Sequence, residues 1–124
     1  MSAEHVNFFF TLREQVKLYH WQTHSYARHK ATDELIDSLD KTIDEYVETY
    51  MGKYGRPKLT GKTATIKLTN MTEATVVGFI KKSIQYLEGP LVKGLNPKTD
   101  TDLFNLRDEM LGELHKLLYL FSLK

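Results

Sequence analysis

The sequence predicts an all-α protein: one four-helix bundle domain over residues 1–124, with a long connection between the second and third helices. Four segments repeat apolar residues at the i, i+3, i+4 spacing of an amphipathic helix. The breakers Gly52, Gly55, Pro57, Gly89, Pro90, Asn96 and Pro97 fall at the ends of those segments or between them. Four helices that each carry a single apolar stripe bury those stripes together as a bundle.

Taken in order, residues 4–24 read as the first helix, with Phe9, Leu12, Val16 and Tyr19 on one face. The polar residues 25–30 read as a tight connection. The second helix spans about 29–52, with Ile36, Leu39, Ile43, Val47 and Tyr50 facing the core and Gly52 and Gly55 as its stop. Residues 53–71 form a basic loop long enough to run the length of a bundle. Within it, residues 63–68 alternate like a strand but have no partner, so a packed loop or one helical turn is expected there.

The third helix starts near Thr72, a good N-cap, with Glu73 well placed against the helix dipole. Its inner face is Val76, Val77, Ile80, Ile84 and Leu87. The fourth runs over about 101–123, with Leu103, Leu106, Met110, Leu114, Leu117 and Phe121 as its seam. Phe104, Leu111, Leu118 and Leu120 lie outside that seam, a surplus that suggests burial against another subunit.

The bulk composition narrows the function. With 41% hydrophobic and 27% charged residues the balance is that of a globular domain. A net charge of +1 gives no general electrostatic case for nucleic acid. The absence of cysteine removes disulfides, thiolate metal sites and cysteine nucleophiles, and suits a cytoplasmic setting. The N-terminus lacks the pattern of a signal peptide, and no segment has the roughly 20 apolar residues of a membrane span. No membrane partner is therefore expected.

The chemistry concentrates in residues 19–50. On a helix, His29, Asp33, Asp37, Asp40, Asp44 and Glu48 follow steps of three and four and form one stripe at the border of the apolar face. Stacked carboxylates repel, and this stripe contains no lysine or arginine, so it calls for a cation from elsewhere. Imidazole and carboxylate together suit iron, zinc or manganese. A di-iron site inside one bundle uses Glu-x-x-His, which occurs nowhere in this chain. An acidic stripe is more often a solvated face, and that is the reading for Asp37 and Asp40. His5 is expected on the surface, and so is His115. The basic loop, with Lys53, Arg56, Lys58, Lys62 and Lys67, reads as solvated.

Residues 12–60 resemble the Dps proteins, the mini-ferritins of the ferritin-like superfamily. His20-Trp21 matches the end of that family's first helix, and His29 with Asp33 matches its His-x-x-x-Asp. Asp44 with Glu48 matches its Asp-x-x-x-Glu, and Gly55-Arg56-Pro57 matches its turn. Only seven residues separate Trp21 from His29, fewer than the family spacing, so His24 is an additional candidate ligand.

The resemblance implies a ferritin-like bundle that oxidises and sequesters iron(II) between two-fold-related subunits, that is, a ferroxidase. His20 and His29 would come from one chain, and Asp44 and Glu48 from its mate. Asp33 would bind the metal or orient a ligand, and Trp21 would wall the site. It further implies self-association through a two-fold dimer, with a larger shell as the family's extension of it. A lysine-rich N-terminal tail is absent, so DNA binding is not carried over. The short chain also fits a viral or phage homologue in a host cytoplasm that kept the bundle without the shell. The competing expectation is a non-enzymatic helical-bundle protein, structural or accessory, without metal.

Overall fold

The computed structural model describes residues 3–123 and is all-helical, with no strand among them. Its four helices are α1 (Ala3–Gln22), α2 (Tyr26–Tyr54), α3 (Thr75–Glu88) and α4 (Thr101–Ser122). Single 3-10 turns occupy Gly61–Ala64 and Pro90–Val92. The first of these overlaps the strand-like stretch only at Thr63 and Ala64; residues 65–68 form no regular element and are exposed.

The α1–α2 joint is shorter than the expected 25–30, because Ser25 starts α2 early. Ser25 is extended, and its hydroxyl accepts the Arg28 N–H at 3.2 Å, which caps the helix three residues before His29. At the other end Gly52 does not stop α2. The helix runs on to Tyr54, and Gly55 ends it with φ 95°, a conformation that favours glycine.

The third helix begins at Thr75 with Ala74 at its N-cap, later than the Thr72 expected, and Thr72 instead forms a reciprocal pair with Thr75 just ahead of it. The Thr72 N–H donates to Thr75 Oγ1 at 2.7 Å, and the Thr75 N–H donates to Thr72 Oγ1 at 3.2 Å. Regular helix follows from Thr75.

Side-chain contacts give the arrangement of the helices. Phe9 meets Tyr46 and His20 meets His29, so α1 and α2 are antiparallel. Lys53 meets Asp102 at one end of the α2–α4 pair and Arg28 meets Phe121 at the other. Phe8 stacks on Tyr86 at 3.9 Å, while Tyr19 reaches Glu73 just before α3. Arg107 of α4 donates to the Leu87 carbonyl at the end of α3. The order around the bundle is therefore α1, α2, α4, α3, with every neighbour antiparallel. Helices α2 and α3 run the same way, which requires the chain to return the full length of the bundle between them.

That return is residues 55–74, and amide side chains of α1 hold it down. Asn7 donates to the carbonyls of Thr63 and Thr65. Gln15 donates to the Thr69 carbonyl at 2.6 Å and accepts the Thr69 N–H at 3.0 Å. Gln22 bonds Asn70 and the Met71 N–H. The strap has no ladder of its own, so these amides satisfy backbone groups that would otherwise lie unpaired against α1.

The core holds the predicted inner faces. Phe9, Leu12, Val16, Leu39, Ile80, Leu87, Leu103, Met110, Leu114 and Leu117 are almost fully buried. Each such side chain contributes about 1.5–3 kcal/mol of transfer free energy. Ile43, Val47, Tyr50, Val77 and Leu106 are only half-buried at its edge, and Tyr46 takes the central place in α2 instead. Phe104, Leu111, Leu118 and Leu120 are also half-buried, and the last three pack on this core.

Candidate metal-ligand face

Two antiparallel helices joined by three residues bring their facing ends together. This places His20, in the last turn of α1, against His29, in the first turn of α2. The rings stack with centroids 3.8 Å apart and planes 17° apart. His20 Nδ1 lies 2.8 Å from the His29 carbonyl, and His29 Nδ1 lies 2.9 Å from the His20 carbonyl. A carbonyl oxygen only accepts, so both Nδ1 atoms carry hydrogen. The neutral imidazoles then hold their lone pairs on Nε2. Thr32 reinforces the pair, its hydroxyl 3.0 Å from His20 Nδ1 while it donates to the Arg28 carbonyl.

A carbonyl on Nδ1 is the usual companion of an imidazole that binds metal through Nε2. The stacking limits what the pair can do. An ion bonded to Nε2 lies near the ring plane at roughly 2.0–2.1 Å. Two nearly parallel rings 3.8 Å apart cannot both satisfy that for one ion, so the two Nε2 atoms address separate positions. His20 is buried at 6% exposure and His29 is half-buried, so His29 presents the more accessible edge.

The carboxylates lie further along the same helix. Asp33, Asp44 and Glu48 are exposed, and none of them joins an ion pair among the described residues. Asp44 is fifteen residues from His29, roughly 22 Å along a helix, so one chain cannot bring them together. Accordingly, no group of three or more ligand-type residues converges among the described residues. Asp37 is exposed, while Asp40 finds its cation on α1, paired with Arg13. The stripe is thus neutralised at Asp40 from within the chain. Trp21 is 68% exposed, with the Lys17 ammonium 5.4 Å from its ring centroid. His24 is exposed in the joint and contributes its backbone N–H to Glu73.

Between α1 and α2, facing outward, lies a groove of about 700 Å³. Val6, Phe9, Phe10, Ile43 and Val47 supply its apolar surface, and Arg13 and Lys41 with Asp37, Asp40, Asp44 and Glu45 its charges. Phe10 is 46% exposed within this groove.

Three polar residues that the sequence reading passed over, or placed elsewhere, hold the ends of the bundle. Arg28 is the first. Its guanidinium donates to Tyr19 Oη, to the Glu73 carbonyl and to the Phe121 carbonyl, pairs with the Glu73 carboxylate at 3.2 Å, and lies over the Phe121 ring. It therefore satisfies a C-terminal carbonyl of α4 with a positive charge. Burial pushes Glu73 up, but bonds from Tyr19, Thr23 and the His24 N–H, with Arg28 alongside, bring it below the ordinary carboxylate range.

At the opposite end Asp100 is buried at 1% exposure and accepts from Tyr54, the Asn96 N–H and Lys53. The Tyr54 hydroxyl, then the Asn96 amide and then Lys53 draw its pKa down to about 2. His5 is not on the surface: it is half-buried, bonded through Nδ1 to Tyr86 Oη, and burial lowers its pKa. His115 is exposed, as expected, with Nδ1 on the Leu111 carbonyl.

The chain is 29% identical over 105 residues to a protein of Enterobacteria phage T4 described as an uncharacterized 14.6 kDa protein in the mobD-ri intergenic region. The aligned part covers 85% of this chain and 75% of the phage protein. No solved structure matches it significantly. Residues 20–121 match the profile of a family of unknown function, DUF5856, a span that includes the histidine pair, the acidic stripe and α4. The chain therefore belongs to the DUF5856 family.

Proposed function

We propose that this protein is a Dps-like, ferritin-type bundle that binds iron(II) for oxidation and sequestration between two copies related by a two-fold axis. The observation that carries the reading is the reciprocal histidine pair. Both Nδ1 hydrogens are committed to backbone carbonyls, which leaves two Nε2 lone pairs at one end of α2 while exposed Asp44 and Glu48 lie towards the other. A two-fold axis across the α1–α2 face would set the histidine end of one copy against the acidic end of its mate, and each dimer would have two such sites. A single long connection between α2 and α3 is also a feature of ferritin-like bundles, which supports the reading.

His29 and His20 would supply nitrogen to two separate ion positions, Asp44 and Glu48 of the mate oxygen, and Asp33 a ligand or an orienting carboxylate. Iron is the substrate and carries the electron chemistry itself. Zinc or manganese would fit the same donors. His24, exposed in the joint, is the reserve ligand, and Trp21 would be covered by the mate. A cytoplasmic setting is part of the proposal.

A second reading has its own support. The His20–His29 bonds also fasten α1 to α2, and no ligand group converges within one chain among the described residues. On that reading the protein is a structural or accessory bundle without metal.

Aerobic addition of iron(II), followed by ferric absorbance and by native mass from light scattering, separates the two. The metal reading expects a dimer or larger assembly and oxidation faster than in buffer, both reduced in Asp44→Ala. A monomer with no oxidation above buffer would leave the structural reading.

A further inference from the structure

The strand-like alternation within residues 63–68 pairs with no strand among the described residues, yet the chain just beyond the 3-10 turn is extended. Asn7 holds the Thr65 carbonyl, and Gln15 holds the N–H and the carbonyl of Thr69. Asn7 and Gln15 are eight residues apart, about 12 Å along α1. The four residues from Thr65 to Thr69 reach about 13 Å only when fully extended. In an extended chain the N–H and C=O of successive residues point to opposite sides. Thr65 turns its carbonyl to α1 and Thr69 turns both groups there, so Ile66 and Leu68 turn theirs away. Neither Ile66 nor Leu68 makes a hydrogen bond among the described residues. The strap is therefore a strand with one edge fixed on a helix and the other edge open. Its apolar side chains are uncovered too, Ile66 at 36% exposure and Leu68 at 47%.

Charge selects what can lie on this edge. From Gly55 to Thr72 the strap carries Arg56, Lys58, Lys62 and Lys67 and no acidic residue. None of the four joins an ion pair among the described residues. The straps of two copies would set like charges against each other, and a lysine within an open edge guards against such pairing. A strand bearing carboxylates meets the opposite situation.

We propose that the open edge of the strap captures an extended acidic segment of a partner protein as an added β-strand. The backbone groups of Ile66 and Leu68 would pair with the incoming strand, whose carboxylates would lie near Lys62 and Lys67. Packing of the strap on α1 supplies what an isolated two-stranded ribbon lacks. A nucleic acid would satisfy the cations but offers no strand to the Ile66 and Leu68 amides, and residues 55–72 contain no aromatic ring for a base to stack on. This edge is separate from the α1–α2 face and does not depend on the metal reading.

The test is amide NMR and hydrogen exchange of the full chain with an acetylated eight-residue peptide alternating glutamate and valine. At saturation the Ile66 and Leu68 amides should exchange about tenfold or more slowly, while the Lys67 amide, on the other side, changes little. The same peptide N-methylated at every residue keeps its charge without its donors, and should bind about tenfold or more weakly. Leu68→Pro removes one outward N–H at an extended position that proline tolerates. It should weaken the peptide similarly while Gln15 still protects the Thr69 amide. Lys67→Glu, an exposed change, should weaken it as well. No amide shifts at millimolar peptide, equal binding of the N-methylated peptide, equal slowing at Lys67, or the same shifts from a single-stranded oligonucleotide would each overturn the proposal.

Discussion

His20 and His29 each donate Nδ1–H to the other residue's carbonyl, with their rings stacked 3.8 Å apart. The pair therefore fastens the α1–α2 joint whether or not a metal binds. His20→Ala leaves the His29 carbonyl without this donor and opens space at a buried position. It should cost about 1–3 kcal/mol in urea unfolding. Because the two residues share both bonds, a double-mutant cycle with His29→Ala should give a coupling energy of about 0.5–3 kcal/mol. Additive losses would show that the two rings act independently.

Arg28 joins three helices at one end of the bundle, at 18% side-chain exposure. Arg28→Ala would remove a donor from the Phe121 carbonyl and from the Tyr19 hydroxyl oxygen and leave Glu73 without its cation. The expected loss is about 2–3 kcal/mol, which for a chain of this size lowers Tm by of the order of 10 °C. Arg28→Lys should recover only part of it, because an ammonium cannot reproduce the planar fork. A Tm within two or three degrees of wild type in Arg28→Ala would contradict the clamp.

Acid should open the other end. Asp100 is lowered to about 2 by Tyr54, Asn96 and Lys53, and Asp102 is lowered chiefly by its bond from Lys53. Folded values below the unfolded ones mean that these groups add stability above the ordinary carboxylate range, and that this is lost as pH falls through the folded values. For Asp100 the window lies between 3.8 and about 2. Thermal melts across it should show stability falling with pH, and Asp100→Asn should flatten that dependence. An unchanged profile in the variant would place the acid sensitivity elsewhere.

The strap should depend on Gln15, a buried glutamine that both donates to and accepts from Thr69. Gln15→Leu keeps the volume but leaves two backbone groups unpaired. Hydrogen exchange at the Thr69 and Met71 amides should accelerate well beyond any global change, while the α2 and α4 amides follow global stability. Uniform acceleration would mean that the strap opens only with the whole bundle.

The bundle was readable because helical periodicity reports burial directly. Leu12, Val16, Ile80 and Leu114 lie where their spacing puts them. Helix ends were less legible. Ser25 is a cap signal inside a polar stretch that reads as loop, and Gly52 is a breaker passed over because Lys53 and Tyr54 of the next turn bond Asp100. Arg28, Gln15 and Asp100 were invisible as joints, since a long polar side chain gives no periodic sign of the distant carbonyl it will reach. Gln15 falls one residue before Val16 in the buried stripe, and a polar residue within an apolar face was the one available hint. The pairing of His20 with His29 followed from nothing in the spacing alone, because it depends on the sharpness of the three-residue joint.

In the proposed site histidines from one copy meet carboxylates from another, and subunit complementation tests that meeting most directly. One variant carries His20→Ala and His29→Ala, the other Asp44→Ala and Glu48→Ala, and each alone should bind almost no iron(II). In a dimer made of one of each, the intact histidines face the intact carboxylates at one of the two sites. Unfolding and refolding an equimolar mixture should therefore restore about a quarter of the wild-type iron, since half the dimers formed are mixed. Iron no higher in the refolded mixture than in either variant alone would contradict a shared site.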